Sequence, residues 1–182
     1  MRGLVAEAEI PLVIDADALN ALAEDPSQLI KAKATLILTP HPGEMARLLG
    51  TTVEQVHKDR VACAVDLAKR TEAIVVLKGA GTVVAAPDGN VWINATGNPG
   101  MASGGMGDVL SGMIASLIAQ GVDPLDAAVA GVYLHGYAGD LARESVGERA
   151  LTASEVIEAL PLVSSLFEEI MDPAAEWEDD DE

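Results

Sequence analysis

Three short runs along the chain are β-branched or aliphatic throughout: Leu12-Val13-Ile14, Thr35-Leu36-Ile37-Leu38 and Ala73-Ile74-Val75-Val76-Leu77. Each ends on a polar or turn-forming residue: Asp15, then Thr39-Pro40, then Lys78-Gly79. Runs of this length lack the alternation of a half-exposed strand, so they predict strands covered on both faces in a parallel sheet. Between the second and third, Val61, Ala64, Val65 and Ala68 recur at i, i+3, i+4, i+7, the stripe of one helix face. Strands alternating with helices imply a layered α/β fold.

The pattern changes after Lys78. Thr82 to Ala86 and Val91 to Asn94 flank Pro87-Asp88-Gly89-Asn90, a hairpin with a tight turn. A glycine-rich stretch, Gly97 to Gly107, leads into a helix whose apolar face is Val109, Leu110, Met113, Ile114, Leu117 and Ile118, stopped by Gly121. Asp123-Pro124 starts another helix through about Leu141, and Thr152-Ala153-Ser154-Glu155 is a capping box for the last. The chain opens on an amphipathic scrap (Leu4, Val5, Ala8) and passes straight into a strand apolar enough to be central. The sheet is therefore expected to be incomplete on its N-terminal side, its edge covered by another copy or by a further segment.

Composition narrows this picture. The 182 residues suffice for one domain, read as 1–172, with an acidic tail at 173–182. Aromatic residues are only 3% against 49% hydrophobic, so the core must be Ala, Val, Leu and Ile. A net charge of -18 repels polyanions and argues against nucleic acid as a partner. The single cysteine, Cys63, excludes an internal disulfide and is expected as a core thiol. No apolar run approaches the roughly 18 residues that cross a bilayer, and no signal segment opens the chain, so a cytoplasmic protein is expected.

Candidate chemistry gathers in four loops, each just past a strand or at a helix start. Gly104-Gly105-Met106-Gly107 can turn tightly and present backbone amides at a helix N-terminus, an anion hole suited to phosphate. Asp108 follows in the first helical turn, as a catalytic base or as a residue stabilising the helix dipole. Lys78-Gly79-Ala80-Gly81-Thr82 closes the third strand, where open α/β sheets bind ligands. His41 stands between Pro40 and Pro42 in a rigid loop, and Glu44 opens a helix, either as a cap or as a metal contact through water. Asp15 closes the first strand, with Asp17 a candidate N-cap.

Taken together, DADALNAL (15–22), LTPHPGEMARLLG (38–50), VVLKGAGTVV (75–84), GNPGMASGGMGDVLSGMIASLIAQG (97–121) and AAVAGVYLHGYAGDLA (127–142) resemble the ADP/ATP-dependent NAD(P)H-hydrate dehydratases of the ribokinase-like superfamily. The resemblance implies a three-layer α/β sandwich with a mainly parallel central sheet. It implies adenine nucleotide, ADP or ATP, along Lys78 to Thr82 and Gly107, together with magnesium. Hydrated NADH or NADPH would contact His41, Asp108 and Asp15. Such domains carry on the order of a hundred further residues before the first strand seen here, in keeping with the unpaired edge. Two rival readings stand beside it: a small-molecule kinase of the same superfamily, and a non-catalytic nucleotide-binding fragment.

Overall fold

The computed structural model describes residues 2–171; the acidic tail at 173–182 lies outside them. Along the chain run α1 (Arg2–Glu7), β1 (Leu12–Ile14), α2 (Ala16–Ala23), a 3-10 turn (Pro26–Lys31), β2 (Leu36–Leu38), α3 (Pro42–Leu49), α4 (Val53–Lys58), α5 (Arg60–Thr71) and β3 (Ile74–Leu77). The hairpin β4 (Val83–Ala85) and β5 (Val91–Ile93) follows, then α6 (Met106–Ala119), α7 (Pro124–Val146) and α8 (Ala153–Met171). The three apolar runs and the hairpin are thus strands, as expected. The helix after Pro124 runs five residues past Leu141, to Val146.

The sheet order is β1-β2-β3-β4-β5. β1, β2 and β3 pair in parallel, and β4 is antiparallel to both its neighbours, so four of the five strands point one way. Successive side chains in a strand face opposite sides, and two cores result. Ile14, Leu36, Leu38, Val75, Leu77, Val83 and Ala85 meet Leu19, Leu22, Met45, Ala64 and Leu67 from α2, α3 and α5. Ile37, Ile74, Val76 and Val84 meet Leu110, Ile114, Ala128 and Val132 from α6 and α7 on the other face. This is the three-layer sandwich: helices, sheet, helices. A Cβ at Gly131 would lie 2.7 Å from Ile114 Cγ1, so glycine there lets α6 and α7 approach closely.

β1 lies at the sheet's outer edge, with Leu12 and Val13 half-buried and Ile14 buried. Both of its faces are packed, but its outer backbone edge has no strand beside it among the described residues. Cys63 is a free thiol, half-buried against the first core. No described helix is long and apolar enough to cross a membrane.

Candidate active site

The parallel strands end on one side of the sheet, and their C-terminal loops meet the glycine loop before α6. Asp15 follows β1 and is the N-cap of α2, accepting from the Ala16 N–H at 2.8 Å. That corrects the expectation of Asp17 as cap: Asp17 lies within the first turn, and the residue ending the strand does the capping. Ala16 takes φ +50, in the left-handed region that non-glycine residues seldom adopt.

From the end of β3, Lys78 Nζ reaches Asp15 Oδ1 at 2.5 Å, and Ser111 Oγ of α6 donates to Asp15 Oδ2 at 3.1 Å. Burial opposes ionisation of the Asp15 carboxyl, but the hydrogen bond and charge of Lys78 outweigh it and hold the group below the ordinary carboxylate value. A Cβ at Gly107 would lie 3.2 Å from Lys78 Nζ and 3.3 Å from Asp15 Oδ2. Glycine therefore lets the α6 N-terminus come against this pair. Gly105 caps that helix at φ +86, and Met106 is buried while Gly104 is exposed.

Arg60 braces the Lys78–Gly81 loop from the α5 side. Its guanidinium donates to the carbonyls of Leu77 (3.0 Å), Lys78 (3.4 Å) and Gly81 (3.3 Å). Gly79 adopts φ +140, which favours glycine, and a Cβ there would sit 2.5 Å from Arg60 Nη1 and displace the guanidinium. Across the opening, Asp140 of α7 fixes the start of the glycine-rich segment. It accepts from Gly97 N–H at 2.8 Å and from Asn98 Nδ2 at 2.9 Å.

These segments enclose a cavity of about 610 Å³, within the usual range for small-molecule sites. Its lining includes His41, Lys78 through Thr82, Asn94 through Asn98, Met106, Gly107 and His135. Ala80, Gly81 and Thr82 stand in its wall beside Lys78 and Gly79.

Two residues stand elsewhere. Glu44 is buried, and its carboxylate closes a capping box: Oε2 accepts from the His41 N–H at 2.8 Å, Oε1 lies 3.4 Å from His41 Nε2, and His41 Nδ1 accepts from Gly43 N–H. The capping reading of Glu44 accounts for both its oxygens. No group of three or more His, Cys, Asp or Glu residues among those described can hold a metal ion. Asp108 is exposed and borders a separate groove with Val109, Gly112, Leu134 and Ile157 rather than the cavity. Helical rotation explains this. Positions 107, 110, 111 and 114 face the sheet and cavity, and 108 and 112 turn away from them.

Sequence reasoning assigned no role to Arg60, Ser111, Asp140 or His135. His135 lines the cavity from α7, is only 9% exposed, and leaves Nε2 buried with no hydrogen-bond partner. Such an atom costs about 1–3 kcal/mol. Burial pushes the imidazole down to about 4, against an opposing pull from a hydrogen bond to the Met106 backbone. The signal available was His135 interrupting the otherwise apolar and small face of the helix, inside a segment read only for its overall resemblance.

A family model described as NAD(P)H-hydrate dehydratase matches residues 3–162. A bifunctional NAD(P)H-hydrate repair enzyme of Moorella thermoacetica is 52% identical over 169 residues, covering 93% of this chain but 32% of that protein. The crystal structure of the ADP/ATP-dependent NAD(P)H-hydrate dehydratase of Bacillus subtilis, co-crystallised with ATP/Mg2+, superposes with a TM-score of 0.83 at 39% identity. It covers 90% of this chain and 57% of that one. A ribokinase-like superfamily protein of Enterococcus faecalis, 23% identical with a TM-score of 0.71 over 91% of this chain and 66% of its own, shares the fold. The chain thus spans about a third to somewhat over half the length of the relatives it matches most fully. With the match running over nearly all the described residues and the sandwich superposing, this chain belongs to the NAD(P)H-hydrate dehydratase family, within the ribokinase-like fold.

Proposed function

We propose that this chain supplies the nucleotide-binding and phosphoryl-transfer side of an ADP- or ATP-dependent NAD(P)H-hydrate dehydratase. One observation carries the reading. Lys78, from a parallel strand's end, abuts Gly107 at the N-terminus of α6 in the wall of a cavity of about 610 Å³. An ammonium and a helix N-terminus facing one space is the arrangement that phosphates demand.

In this reading the phosphates of ADP or ATP lie against Lys78, the Gly79-Ala80-Gly81-Thr82 backbone and the amides of Gly104, Gly105, Met106 and Gly107. Asp15 holds Lys78 extended toward them. The described residues do not fit a protein-held metal: Glu44 is spent in its capping box, and Asp15 is paired with Lys78. Magnesium then enters with the nucleotide, which suits an ion that keeps its waters and binds through phosphate oxygens.

The hydrate of NADH or NADPH carries a hydroxyl on its nicotinamide ring, and hydroxide leaves poorly. Asp108, exposed in the first turn of α6, takes the hydroxyl proton as the oxygen attacks the terminal phosphorus. The phosphorus bond to the departing nucleotide breaks, and its electron pair stays on that nucleotide's phosphate. The ring nitrogen's lone pair then expels phosphate, and loss of a ring proton restores the dihydropyridine. In this reading the hydrated ring reaches round the N-terminus of α6 to Asp108, which borders the separate groove, while His41 in the cavity lining orients the substrate. The same reading places the protein where NADH and ADP occur, in the cytoplasm, and has β1's free edge paired by another segment or a second copy.

The test is recovery of dihydronicotinamide absorbance from hydrated NADH on addition of ADP or ATP. In the full-length protein, Asp108→Asn should cut turnover by at least about a hundredfold with little change in nucleotide affinity. Turnover within a few-fold of the parent would leave Asp108 a helix-dipole residue. A stable phosphorylated product would instead mark a small-molecule kinase.

A further inference from the structure

The cavity wall changes character from one part to another. Lys78 and the Gly79–Thr82 backbone make one part polar, whereas Met101, Met106, Leu110 and Val132 make another apolar. His135 interrupts that apolar part as an imidazole that is nine-tenths buried, with Nε2 partnerless. Thioethers and aliphatic side chains favour a flat aromatic ring, and a phosphate or a ribose would be poorly solvated among them.

The imidazole has a defined hydrogen-bonding sense. Its link to the Met106 backbone favours the protonated ring, so the Met106 group is an acceptor and takes a ring N–H. Held neutral by burial, the ring has one proton, and the nitrogen left over is an acceptor.

We infer that His135 is the residue that selects the nucleobase, its free nitrogen accepting a hydrogen bond from the exocyclic amine of adenine. A purine with a carbonyl at that position would set two lone pairs against each other, and a purine with hydrogen there would leave the imidazole orphaned. This rests on the nucleotide reading above and adds to it the choice among purines.

The experiment is calorimetric titration of this chain with ADP, inosine diphosphate and purine riboside diphosphate, which share phosphates and ribose and differ at one ring position. The unmodified chain should bind ADP about tenfold more tightly than either analogue. His135→Phe, with His135→Leu as a second variant, should bind all three within about twofold of one another, because the acceptor is gone. Equal affinities in the unmodified chain would overturn the inference and leave the nucleotide reading standing. So would a preference for ADP that survives in the variants. A preference that appears only against 2′-deoxy-ADP would move the contact to the ribose and overturn it equally. Failure of the unmodified chain to bind any of them would overturn both readings together.

Discussion

Lys78 Nζ and Asp15 Oδ1 meet at 2.5 Å across the ends of two parallel strands, 63 residues apart in sequence. The pair does two things at once. It ties β3 to β1, which are not adjacent in the sheet, and it presents an ammonium to the cavity with one side already held. Because both side chains are mostly buried, removing one partner leaves the other charge uncompensated, unlike at a surface ion pair.

A double-mutant cycle on Lys78→Ala and Asp15→Asn without ligand should therefore give a coupling of about 1 kcal/mol or more. The sign with pH follows from the lowered Asp15 value. Its contribution is complete above the ordinary carboxylate range and is lost as pH falls through the folded-state value. Additive losses would show the pair to be energetically idle.

Arg60 does not itself line the cavity, yet it donates to the carbonyls of Leu77, Lys78 and Gly81, the last two of which do. Arg60→Ala should weaken ADP binding by about tenfold while circular dichroism stays near the parent's. Unchanged affinity would show that the loop keeps its form without the brace.

Ala16 at φ +50 is a strained position just after Asp15. Ala16→Gly relieves that strain and should raise stability by about 1 kcal/mol, read as a higher melting temperature. A lower melting temperature would mean that the backbone there is not under strain.

Acid should act through His135. Its folded value of about 4 lies below the ordinary 6.5, so the unfolded chain binds the extra proton first. Its share of stability is whole above pH 6.5 and falls away toward pH 4, by up to about 3 kcal/mol. Chemical denaturation of the ligand-free chain at pH 7 and pH 4.5 should show a steeper loss in the parent than in His135→Gln. Parallel losses would place His135 in a more open setting than its burial indicates.

Much of this fold was legible because hydrophobic runs and turn residues are local signals. Leu12–Ile14, Leu36–Leu38 and Ile74–Leu77 read as buried strands since nothing polar interrupts them, and Asp88-Gly89 read as a hairpin turn. The loops of the site were legible for the same reason: Lys78-Gly79 and Gly104 to Gly107 are punctuation after a strand or before a helix. Partnership across the sheet was not. Nothing near Lys78 in sequence points to Asp15, nothing near Arg60 to the Gly81 carbonyl, and the face taken by Asp108 depends on the helical phase set by Leu110 and Ile114 against the sheet. His135 needed both the packing of α7 and the position of Met106 before its free nitrogen meant anything.

The central claim is that Lys78 and the α6 N-terminus form the phosphate end of a nucleotide site, and titration of this chain with ADP tests it most directly. The account predicts saturable one-to-one binding, weaker for AMP, which lacks the terminal phosphate. In folded Lys78→Ala it should be weaker by about ten- to a hundredfold, the usual range for a charge-assisted contact. Binding of ADP with the same affinity in the parent and in Lys78→Ala, or no saturable binding at all, would contradict it.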